Sequence, residues 1–139
     1  MKRNVLLAVM LVCSFMLVGV AAKAHEWKEK DEFHKVIAAT FHPSEEGNFE
    51  PIRSRVGELY DKAVAWSKST PPADFNKPEI KTALKELVDG IAALKAMVEK
   101  KATNDELKPK LEAVHETFHK IVGLCTHDDG KKMEEGKKK

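Results

Sequence analysis

Between Pro78 and Val98 the chain places Ile80, Leu84, Leu87, Ile91, Leu94 and Val98 at alternating steps of four and three residues. That spacing follows the 3.6-residue turn of an α-helix and draws one apolar stripe, which is stable only when covered by another element. A half-buried strand would alternate in twos, and no segment does. Three other segments repeat the helical period. The first runs from about Glu26 to Phe41, with Phe33, Val36, Ile37 and Phe41 on one face. The second opens at Pro51, a favoured first helical residue, carries Ile52, Val56, Leu59, Ala63 and Trp66, and ends before Ser69-Thr70-Pro71-Pro72. The last begins with a capping box, Thr103 and Glu106, and carries Leu107, Leu111, Val114, Phe118, Ile121 and Cys125. Helices of similar length joined by short or moderate loops pack most simply as antiparallel neighbours. The expected fold is all-α, an up-down-up-down four-helix bundle.

Ahead of the helices stand a basic start (Met1-Lys2-Arg3-Asn4), an apolar run from Val5 to Val20 and the small-residue signal Ala22-Lys23-Ala24. These are the parts of a secretory signal peptide in their usual order. The apolar run, roughly 16 residues, falls short of the ~20 needed to span a bilayer, so residues 1–24 read as a cleaved leader rather than an anchor. Cys13, preceded by Val12 and followed by more apolar sequence, belongs to the leader's core and not to a lipidation site. The expected product is exported, to the periplasm in a bacterial cell, with no membrane span after cleavage.

Cleavage would leave residues 25–139, enough for one domain with one core over 25–127. Residues 128–139, charged and Gly-containing, are expected to form a tail outside that core. The leader holds three of the 24 basic residues and none of the 22 acidic ones, so the remainder carries 21 against 22, a net charge of −1. That balance argues against a nucleic-acid partner. Cys125 would remain as a lone cysteine with no internal disulfide, either a core residue of the last stripe or a ligand.

Six histidines follow the leader: His25, His34, His42, His115, His119 and His127. The second and third helices have none. An internal echo links the other two: Phe33-His34-Lys35-Val36-Ile37 recurs as Phe118-His119-Lys120-Ile121-Val122, and His42 recurs at the offset of His127. In the expected bundle the first and last helices are antiparallel neighbours. His34 then lies ~12 Å from one end and His119 ~9 Å from the same end, at nearly one height. His115, one turn from His119, completes a set of three imidazoles suited to Zn2+, Cu2+ or Fe2+. The plain alternative is that each histidine borders an apolar stripe and turns its ring to water. His42, with Glu45 and Glu46, forms a second candidate group, against the plain reading that His42-Pro43 stops the first helix. Cys125, with His25 and His127, is a third.

The leader, the four-helix layout, the Lys68-Ser69-Thr70-Pro71-Pro72 break and a histidine late in the last helix together resemble the periplasmic four-helix-bundle cytochromes, of the soluble b type and the c-prime type. The resemblance covers most of the chain beyond the leader. It implies a non-covalent haem b gripped between an early first-helix ligand and a late fourth-helix histidine. Those positions fall on His34, where the family has methionine, and His119. No CxxCH occurs, so covalent haem attachment is excluded. A haem takes two axial ligands and would leave His115 surplus. The H-x-x-x-H of His115 and His119 is also similar to hemerythrin, without the rest of that family's histidines and carboxylates.

Three functions follow as expectations: a transition-metal ion held by His34, His115 and His119, with His42 and Cys125 as further candidates; a b-type electron-transfer haem on His34 and His119; or a ligand-free bundle that binds a partner. No Ser/His/Asp arrangement, phosphate loop or paired-carboxylate motif is present, so no enzyme activity is expected. A homodimer or a redox partner stays open.

Overall fold

The computed structural model describes residues 26–126; residues 1–25 and 127–139, with the expected leader, His25, His127 and the expected tail, lie outside the described residues. Four α-helices follow one another: α1 (Lys28–Glu45), α2 (Glu50–Lys68), α3 (Pro78–Glu99) and α4 (Asn104–Thr126). A short 3-10 turn, Ala73–Phe75, interrupts the α2–α3 connection. No strand occurs among the described residues. No helix among them is long and apolar enough to cross a membrane.

Local chemistry sets most boundaries. Pro51 and Pro78 sit in the first turns of α2 and α3, where a missing N–H costs nothing. The α4 start is a reciprocal capping box: Thr103 N–H donates to Glu106 Oε2 at 2.7 Å, and Glu106 N–H donates to Thr103 Oγ1 at 3.3 Å. α3 ends with Lys101 in the left-handed region at φ 57°. Its N–H donates to the Val98 carbonyl and the Ala102 N–H to that of Met97, each at 3.0 Å.

The end of α1 corrects the expectation that His42-Pro43 stops the helix. The helix continues to Glu45 with Pro43 inside its last turn. Proline disfavours helix at the residue before it without forbidding it, and the stop is supplied later by Gly47 at φ +86°. There the Gly47 N–H donates to the Ser44 carbonyl at 3.0 Å and the Asn48 N–H to that of Pro43 at 2.9 Å, the paired bonds of a glycine-terminated helix. Only residues 46–49 then connect α1 to α2, and His42 and Glu45 become helical neighbours.

Every residue of the four stripes is buried except Val98, which is partly covered. Seven buried aromatic rings thicken the core, five of them in one cluster. Trp66 lies 5.7 Å from Trp27, 5.5 Å from Phe33 and 6.1 Å from Phe118 between ring centres. Trp27 stacks on Phe75, carried in by the 3-10 turn, at 6.3 Å, and its Nε1 donates to Ser69 Oγ at 2.8 Å. The buried Nε1 of Trp66 has no hydrogen-bond acceptor.

Each helix packs along its sequence neighbour. Lys62 of α2 reaches Glu32 of α1 at 2.9 Å and Lys120 of α4 reaches Glu86 of α3 at 2.9 Å; beyond sequence neighbours, Arg53 of α2 ties to the start of α4, donating to the Ala102 carbonyl at 2.8 Å and to Asn104 Oδ1 at 2.7 Å. α1 meets α4 more sparingly. Phe33 against Phe118, 5.6 Å between ring centres, joins the two halves of the internal echo there.

Candidate metal centre

On α4, His115 and His119 stand one turn apart on one face, with their Nε2 atoms 3.2 Å apart. In the neutral pair one ring donates and the other accepts. Two nitrogens bound tetrahedrally to one ion at about 2.0–2.1 Å also lie about 3.3–3.4 Å apart. The pair is therefore spaced as two ligands of one ion would be.

His115 is half-buried and lies flat on Phe41 of α1, 3.7 Å between ring centres and 12° between planes. Burial pushes its pKa below the ordinary 6.5; the charges of His119 and His42 push the same way, Glu45 opposes them, and His34 adds a smaller downward effect. A histidine held neutral is in its metal-binding form.

His42, on the last turn of α1, has its ring centre 6.1 Å from that of His115. Its Nδ1 meets Glu45 Oε2 at 2.9 Å. Donation from Nδ1–H to the carboxylate leaves Nε2 with its lone pair free, the arrangement that carboxylate–histidine pairs provide around metal ions. The extended α1 places these two side chains three residues apart on one helix, and so produces the contact.

His34 takes a different neighbour. Its exposed ring stacks on Phe118 at 5.2 Å and 20°. As counting residues from the helix ends expects, it shares a groove with His119, about 200 Å3 in volume and lined also by Lys30, Asp31, Phe118 and Val122. The four histidines thus form a strip along the α1–α4 seam, with His42 beside His115 and His34 beside His119. Cys125 is not part of that strip. It is buried, six residues beyond His119, ~9 Å along the helix. Burial pushes its thiol pKa up, against the smaller opposing effects of Lys30 and Lys77, which keeps it a thiol rather than a thiolate ligand. Glu46, Glu112 and Glu116 are exposed.

Among the described residues, no three His, Cys, Asp or Glu side chains already surround a common point closely enough to hold an ion. What stands together is the His115–His119 pair, flanked by His42. Phe41 as a platform escaped sequence reading, because a ring contact across a seam depends on how two helices face each other; His42 and Glu45 were grouped in the sequence, and the helix passing through Pro43 brings them into contact. The i, i+3 spacing of His42 and Glu45 was the available signal.

No protein-family model, curated protein or solved structure matches the chain. The likeness to four-helix cytochromes therefore rests on the residues quoted for it alone.

Proposed function

We propose that this chain is an exported, non-enzymatic up-down-up-down helical bundle that binds one transition-metal ion on the seam of α1 and α4, through His115, His119 and His42. The carrying observation is the 3.2 Å separation of the His115 and His119 Nε2 atoms, with a carboxylate-oriented third imidazole beside them. Imidazole donors suit zinc, copper or iron and not magnesium or calcium. His42 and His119 are exposed, so turning a ring toward an ion disturbs no core packing. His42 replaces His34 in the ligand set, because His42 is the first-helix imidazole whose ring stands against His115. The antiparallel order is supported by the seam itself, where Phe33 and His34 meet Phe118 while Phe41 meets His115.

A haem on His34 and His119 fits less well. The groove they share, about 200 Å3, is smaller than the ~300–1,000 Å3 of pockets that enclose drug-sized ligands. The space beneath it is filled by Phe33, Trp66 and Phe118. The test is metal analysis of purified protein after loading with zinc or copper. About one ion per chain, with no haem absorption, and loss of the ion in His119→Ala are the expected results. Protein that stays metal-free after both loadings would reject the proposal and leave the histidines as surface groups of a partner-binding bundle.

A further inference from the structure

We infer that the pocket between the 3-10 turn and the first turns of α3 binds a short-chain aliphatic carboxylate, with its alkyl tail against Trp27 and Phe75 and its carboxylate at Lys81. None of the four seam histidines lines this pocket, so the inference is independent of the ion-binding reading. The pocket has a volume of about 90 Å3. Its walls are Trp27, Phe75, Ile80 and Leu84, each at most 4% exposed, with half-buried Pro71 at the edge. Such walls exclude a polar ligand body and favour an apolar one.

Three polar side chains complete the lining: Ser67, Ser69 and Lys81. Both hydroxyl hydrogens are already engaged, since Ser67 Oγ donates to the Val64 carbonyl at 2.9 Å and Ser69 Oγ to that of Trp66 at 2.7 Å. Ser69 Oγ also accepts from Trp27 Nε1 at 2.8 Å, which occupies the indole donor. Lys81 is the side-chain donor of the lining that stays open to a ligand. It is exposed and makes no ion pair among the described residues, whereas Lys85, one turn on, is held by Asp89 at 2.6 Å. The pocket thus offers apolar surface and one ammonium at its rim, the complement of an alkyl chain that ends in an anion. A sugar or a nucleotide needs several donors and acceptors and more room. Size sets the chain length: a dry cavity of about 150 Å3 takes the six carbons of benzene, so about 90 Å3 takes about three or four. The carboxylate then stands beyond the apolar walls, beside the Lys81 ammonium and still in contact with water.

The test is NMR of 15N-labelled, metal-free protein titrated with sodium acetate, propionate, butyrate and octanoate, against sodium chloride at equal ionic strength. The Trp27 indole N–H signal is the readout. It is expected to shift saturably, with affinity tightening about fourfold per added methylene from acetate to butyrate and levelling off between butyrate and octanoate as the walled space fills. Lys81→Gln, an exposed change that disturbs no core packing, is expected to weaken butyrate about two- to fivefold and to leave 1-butanol unaffected. A Trp27 signal that butyrate moves no further than sodium chloride does would overturn the inference. Affinity that climbs on to octanoate would overturn it too, since an open apolar surface would then be binding the chain. Butyrate binding unchanged in Lys81→Gln would equally contradict it.

Discussion

At His115, one imidazole has been partly withdrawn from water, laid on Phe41 and placed among three other imidazoles with one carboxylate nearby. Its pKa in the fold is below the ordinary 6.5, so the fold favours the neutral ring. That stabilisation is complete above the unfolded value and is lost as pH falls through the lower folded value. Thermal melts of metal-free protein should therefore show a midpoint that drops as the pH is taken from about 7.5 to about 5, and His115→Gln should shrink the drop. An equal drop in the variant would contradict the assignment. At Glu45, replacement by Gln removes the charge that orients His42. The expected loss is about 10–100-fold in zinc affinity, read by competition with a chelating dye. Phe118 belongs to the core, buried among Phe33 and Trp66. Phe118→Ala should cost about 3–5 kcal/mol in denaturant unfolding.

At the scale of elements, the helix starts were legible because proline and capping chemistry act within a few residues. Pro51, Pro78 and the Thr103–Glu106 box each mark a start that the structure shares to within one residue. The end of α1 was not. Pro43 carries the strongest local signal for a stop, yet the outcome is set by Gly47, which closes the helix with two backbone bonds and carries it past His42. The 3-10 turn that delivers Phe75 was equally hidden, since a three-residue element has no period to read. Two substitutions test these ends. Lys101 holds φ 57° at the close of α3, where a side chain is strained by roughly 1 kcal/mol. Lys101→Gly should raise stability by about that amount, seen as a higher melting midpoint. Thr103→Ala removes one half of the capping box and should lower stability by about 1 kcal/mol.

At the scale of the molecule, the four apolar stripes were enough to anticipate an all-helical chain, because a 3.6-residue period admits no strand. The histidine site was legible only in part. Counting residues along two helices puts His34 level with His119, and the structure has them on one groove. It does not reveal that Phe41 and His42 meet His115 one level further along, because ring-on-ring contacts across a seam depend on how two helices face each other. The seam between α1 and α4 is the thinner of the helix contacts, and it is where the imidazoles gather. An ion bound from both sides would cross-link the first and last helices there. The most direct measurement is a zinc titration of purified protein followed by NMR of the imidazole nitrogens. The account predicts that the Nε2 signals of His115, His119 and His42 shift together and saturate at about one equivalent, while that of His34 stays in place. Zinc that leaves all three unmoved, or that moves His34 with His119 and spares His42, would contradict it.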